Sequence, residues 1–222
     1  MVKLNVPLID QPDYTSCVPT TYMMVRNYYE QISVLPGQGE IKEFIGNVRR
    51  EAYFEDETLV KVPLFSLSLA KVASKQYKVI YYTTNTKRAV TPGVFEFFSN
   101  YGIDKEKAEN IYFKLYDECV AYHNSVMLNE SKDIDFLVDC INEGVPPIIL
   151  VYANIFEKVY AQNDVHAIVV TGYDGDAFYV NNPDRNGRVK EKYSFDIIRK
   201  AWHSMSSFTD NDIIVIRKKL LE

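Results

Sequence analysis

A chain of 222 residues, 47% hydrophobic and 25% charged, can bury one sizeable core and is too short to demand two, so a single domain spanning 1–222 is expected. Its net charge of −5 speaks against a general binder of phosphate backbones, which needs clustered Lys and Arg to displace counterions, and no nucleic-acid partner is expected. The longest apolar run, 145–152, carries Pro146 and Pro147 and falls far short of the roughly 20 residues of a spanning helix, so no membrane partner is expected. The opening Met-Val-Lys-Leu-Asn-Val-Pro lacks the apolar stretch and cleavage site of a signal peptide, which points to the cytoplasm.

In chain order, an extended start over 4–8 leads to a helix from Pro19 to about Ile32. Val25, Tyr28, Tyr29 and Ile32 recur there at helical spacing, and Pro36-Gly37 closes the helix. Pro19 suits the first helical turn, where its missing N–H costs nothing. A second helix is expected over 64–77, followed by a Val-, Ile- and Tyr-rich strand over 78–83. The 92–119 stretch reads as one or two amphipathic helices, and 134–142 as another that stops at Gly144-Val-Pro-Pro. Beyond Gly144 the texture changes to β-branched and aromatic runs at 148–153, 165–173 and 177–181, with Asp174-Gly175-Asp176 as a hairpin turn. A last helix over 195–202 precedes a strand over 213–216. Helices first and an antiparallel sheet second make the fold class α+β.

Three cysteines, Cys17, Cys119 and Cys140, with no C-x-x-C spacing fit neither a disulfide framework nor a zinc knuckle. Cys17 stands just ahead of the first expected helix, where unpaired N–H groups favour a thiolate. A free cysteine is more often a small buried hydrophobe, so the position gains weight only from its company. His166 lies in an apolar strand where an imidazole needs a hydrogen-bonding purpose, and paired with Cys17 it would serve as general base and acid. Gln11 precedes Cys17 by six positions, close enough for its amide to fold back beside the Cys17 N–H as an oxyanion donor. His123 and His203 read as ordinary residues near helices, and three dispersed histidines do not make a metal site. No cofactor is expected.

Hairpin register decides what orients the imidazole. A three-residue loop at 174–176 sets Asn182 opposite Ile168 and so diagonal to His166 on one face. A two-residue loop, Asp174-Gly175, gives that place to Asn181. Asp184 is a third choice, although Pro183 interrupts a regular ladder.

Gln11…Ser16-Cys17-x-Pro19-Thr20, Gly144-Val-Pro-Pro-Ile-Ile-Leu-Val, His166-Ala-x-Val-Val-x-Gly-Tyr-Asp-Gly-Asp and Tyr179-Val-Asn-Asn182-Pro183 together resemble the papain-like cysteine peptidases that remove double-glycine leaders from bacteriocins, in their stand-alone form. The resemblance runs through most of the chain and is least familiar over 92–131, which reads as an insertion or a lid. It implies a papain-like fold, a peptide or protein substrate, Cys17 as nucleophile, His166 as acid–base, Gln11 as oxyanion amide and Asn182 as orienting residue. Two departures stand out: Val18 replaces the usual Gly after the cysteine, and Asn182 replaces a common Asp, keeping orientation but supplying no charge. The expected function is cysteine-peptidase-like hydrolysis through an acyl-thioester. The alternatives are transfer of the acyl group to an amine by the same intermediate, and a binding module of the same fold that recognises a peptide without cutting it.

Overall fold

The structure, a computed structural model, describes residues 1–54, 56–59, 61–83, 92–121, 125–129, 132–156, 164–184, 191–203 and 212–219. Helix α1 covers Cys17–Glu30, α2 Gln38–Ala52 and α3 Ser66–Ser74. Helices α4 (Pro92–Ser99), α5 (Lys105–Ala121), α6 (Ile134–Asn142), the short α7 (Ala153–Phe156) and α8 (Phe195–His203) follow. The strands are β1 (Val2–Lys3), β2 (Lys78–Thr83), β3 (Ser125–Asn129), β4 (Ile148–Tyr152), β5 (Val165–Asp174), β6 (Ala177–Asn181), β7 (Lys192–Ser194) and β8 (Ile213–Arg217).

All eight strands join one sheet in the order β3-β2-β8-β4-β5-β6-β7, with β1 added to the far end of β5. Every described pair is antiparallel except β2 with β3. Its central strands are buried on both faces, and alternate residues serve two different cores, as the period of two requires. Ile148, Ala167, Val169, Ile214 and Ile216 face the cluster filled by Tyr22 and Val25 of α1, Ile45 of α2, Leu69 of α3, Phe98 of α4 and Leu115 of α5. Ile149, Val151, Ile168, Val170, Ile213 and Val215 face the other, filled by Leu137 and Ile141 of α6 and Ile198 and Trp202 of α8. The class is α+β, and the C-terminal sheet also recruits β1, β2 and β3 from the helical part of the chain.

Several boundaries move for physical reasons. The extended start expected over 4–8 holds no strand; the strand lies just before it at Val2–Lys3, held on β5, and Leu4 donates one more backbone bond to Thr171 O at 2.7 Å. Helix α1 begins two residues earlier than expected, at Cys17, and ends before Pro36: Gln31 adopts the left-handed conformation with φ 56°, and its N–H and that of Ile32 close on the last carbonyls. Gly37 instead starts α2, where Glu40 Oε2 accepts from the Gly37 N–H at 2.7 Å. The expectations assign nothing to this helix, nor to β3 and β7. From the segment 92–131, Phe98, Ile103, Ala108, Ile111, Tyr112, Leu115 and Cys119 are buried in the first core. His123 lies outside the described residues. Among the described residues no helix is long and apolar enough to cross a membrane.

Candidate active site

The N-terminus of α1 packs against β5, and this contact brings Cys17 to His166. Cys17 is the first residue of the helix, two places ahead of the start read from sequence, with Ser16 as N-cap. His166 is the second residue of β5, paired with Val151 of β4, and Asn182 follows directly after β6. All three are nearly inaccessible, at 8%, 5% and 4% exposure.

The hairpin closes with neither loop expected for it, yet beyond a bulge it takes the pairing of the three-residue register. Asp174 pairs with Ala177 across a two-residue turn, Gly175-Asp176, and Gly175 takes the positive φ of 61° that such a turn needs. Between Val170 and Gly172 the register shifts by one residue, so that Val170 faces Val180 and Val169 faces Asn181. That bulge moves Asn182 to the face of His166. Without it the pairing would turn Asn181 to that face, because a one-residue slip reverses every side chain. Asn181 is engaged elsewhere, donating through Nδ2 to Val6 O at 2.9 Å.

His166 Nε2 lies 2.7 Å from Asn182 Oδ1. The same oxygen accepts the Asp184 N–H at 2.9 Å, which confirms it as oxygen and therefore as an acceptor, so Nε2 carries the proton and Nδ1 is left for Cys17. Burial opposes a charged sulfur. The hydrogen bond and charge of His166, aided by the Ala167 and Val18 N–H groups, outweigh it and hold the Cys17 thiol below its ordinary value. Burial likewise opposes an imidazolium, and the bonds to Cys17 and Asn182 with the negative charge of Asp184 raise His166 above its usual value. Asp184 thus supplies part of the charge that Asn182 lacks. By contrast, burial pushes the Cys140 thiol up to about 12.

Gln11 sits beside the other end of the constellation, its N–H donating to Pro183 O at 2.8 Å, next to Asn182. Its Oε1 is buried without a hydrogen-bond partner among the described residues. Val18 is buried in the first core, so its side chain packs inward. His203 ends α8 and takes no part in this contact. Two residues were not anticipated: Asp13 and Arg49, which brace the turn before Cys17. Asp13-x-Thr15-Ser16 is a legible Asx-turn pattern. Arg49, 32 residues beyond Cys17, carries no local signal. Among the described residues no three His, Cys, Asp or Glu side chains cluster to hold a metal.

The family model described as the Peptidase C39 like family matches residues 3–209, nearly the whole chain. The chain belongs to the peptidase C39-like family. The crystal structure of a candidate C39-like peptidase from Bacillus anthracis is similar in fold, with TM-score 0.56 at 16% identity, over 99% of this chain and 98% of that one. No curated protein matches. Within the C39-like frame, residues 11–17 bring the N-terminal half to the site, and 166 and 182 bring the sheet.

Proposed function

We propose that the protein is a cysteine peptidase-like hydrolase acting on a peptide or related acyl bond through Cys17, His166 and Asn182. The observation that carries the reading is one buried imidazole engaged on both nitrogens: Nε2 by Asn182 at 2.7 Å and the other by the Cys17 sulfur. In the resting pair the proton resides on Nδ1 and the charge on sulfur. The thiolate attacks the carbonyl carbon, a C–S bond forms, and the carbonyl electron pair moves onto oxygen. Gln11 and the Cys17 N–H serve as donors to that oxygen. Nδ1–H then protonates the departing amine as the C–N bond breaks, leaving an acyl-thioester. His166 next takes a proton from water, hydroxide adds to the thioester, and the C–S bond breaks to return the thiolate.

The experiment is a screen of peptides and thioesters with wild type and Cys17→Ala, read by product mass. Cleavage lost in the variant supports the reading. Cleavage that survives Cys17→Ala overturns it. Acid product supports hydrolysis, and exclusive amide product with an added amine would assign the acyl-enzyme to transfer instead.

A further inference from the structure

The chain between β1 and Gln11 runs as a strap from the hairpin end of β5 to the site. Leu4 donates to Thr171 O at 2.7 Å, Val6 O accepts from Asn181 Nδ2 at 2.9 Å, and the Gln11 N–H donates to Pro183 O at 2.8 Å. Val6 and Ile9 bury their side chains in the first core. The strap thus straddles Asn182. It is tied to the residue before and to the residue after the one whose Oδ1 holds His166 Nε2.

Of these ties, that of Asn181 is made by a side chain. It can reach Val6 because the bulge in β5 sets Asn181 opposite Val169, which faces the first core as Val6 does. Gln11 depends on this path. Its Oε1 is buried with no hydrogen-bond partner among the described residues, so no bond to that oxygen fixes the amide, and its backbone decides where it stands.

We propose that Asn181 is a positioning residue for Gln11: its bond to Val6 O holds the strap in register with Pro183 and so sets the Gln11 amide at the site as an oxyanion donor. The inference rests on the hydrolase reading and extends it to a side chain on the other face of β6 from Asn182.

The test compares two reactions of the Cys17 sulfur, both read by mass spectrometry. Iodoacetamide alkylates the thiolate by direct displacement of iodide and builds no oxyanion. p-Nitrophenyl acetate acylates it: a C–S bond forms, the carbonyl electron pair moves onto oxygen, and its return expels p-nitrophenolate as the C–O bond breaks. The ratio of acylation to alkylation rates therefore separates the oxyanion donors from the state of the thiolate. Gln11→Ala should lower that ratio about a hundredfold. Asn181→Ala should lower it about tenfold with the alkylation pH profile unchanged, and no further in the Gln11→Ala background, because both act through one amide. Asn181→Gln, which keeps a donor, should restore most of the ratio. A purely structural role for Asn181 would change melting or alkylation and leave the ratio alone. If Asn181→Ala does not fold, Asn181→Thr suits the strand while its hydroxyl stops one bond short of Nδ2, and the same loss is expected. A wild-type ratio in Asn181→Ala or Asn181→Thr, or losses in Asn181→Ala and Gln11→Ala that add in full, overturns this inference alone. An unchanged ratio in Gln11→Ala also removes Gln11 as oxyanion donor. A wild-type Cys17 that titrates as an ordinary thiol overturns the hydrolase reading with it.

Discussion

Gly172→Ala tests how the sheet carries the bulge that positions Asn182. A Cβ at residue 172 would stand 2.4 Å from Val2 O and 2.8 Å from Lys3 Cα, both backbone atoms that cannot rotate aside. Gly172 does not need a positive φ, so alanine meets no backbone barrier, and restricting the unfolded chain returns about 0.4–1 kcal/mol. Against this, forced overpacking costs about 1–3 kcal/mol. Displacing β1, which pairs Lys3 with Gly172 and Val2 with Tyr173, forfeits hydrogen bonds worth about 1 kcal/mol each. The net expectation is a loss of about 1–4 kcal/mol, or roughly 2–15 °C in Tm for a chain of this size. Thermal melts of wild type, Gly172→Ala, a chain beginning at Leu4, and the combination form a double-mutant cycle. β1 is a two-residue edge and should yield, so the substitution should cost little in the shortened chain and leave Cys17 alkylation unchanged. An equal cost in both backgrounds would refute the reasoning, because the strain would then fall on β5 itself.

Other predictions concern the site and the core. In wild type, Cys17 should alkylate well below pH 8 and Cys140, pushed up to about 12, should not; thiolate grows as pH rises through each thiol's own value. His166→Ala removes the opposing charge and leaves burial dominant, so Cys17 should move above its ordinary value and lose its advantage in the same mass-spectrometric assay. Cleavage should rise with pH through the lowered Cys17 value and fall through the raised His166 value, since only between them is the pair charged. Asn182→Ala leaves the buried Nε2–H without its acceptor and should lower kcat/KM about tenfold or more, whereas Asn182→Asp should extend the basic limb of the pH profile upward. Tyr29→Phe, which deletes a buried 2.6 Å bond to Ile216 O, should cost about 1 kcal/mol in denaturant melts without moving Cys17 reactivity.

Much of the molecule was determined by sequence alone where one local rule governs. The strands at 78–83 and 177–181 and the helix at 134–142 match their expected spans, because β-branched runs, hydrophobic period and turn residues all agree there. The candidates Cys17 and His166 were legible as residue types in informative places. Helix α2 was legible too, through Ile41, Ile45, Val48 and Ala52 at helical spacing, but its Gly37 start reads equally as the stop of α1. The choice between Asn181 and Asn182 belonged to the tertiary structure. It depends on a one-residue bulge between Val170 and Gly172 that changes which amide faces His166. Arg49 is the same kind of case: no pattern around it marks it, and only the packing of α2 against the first core delivers its guanidinium to Ser16. Local propensity reaches a few residues along the chain, and hydrogen bonds between distant segments are set by packing, so the candidate residues were readable and their mutual placement was not.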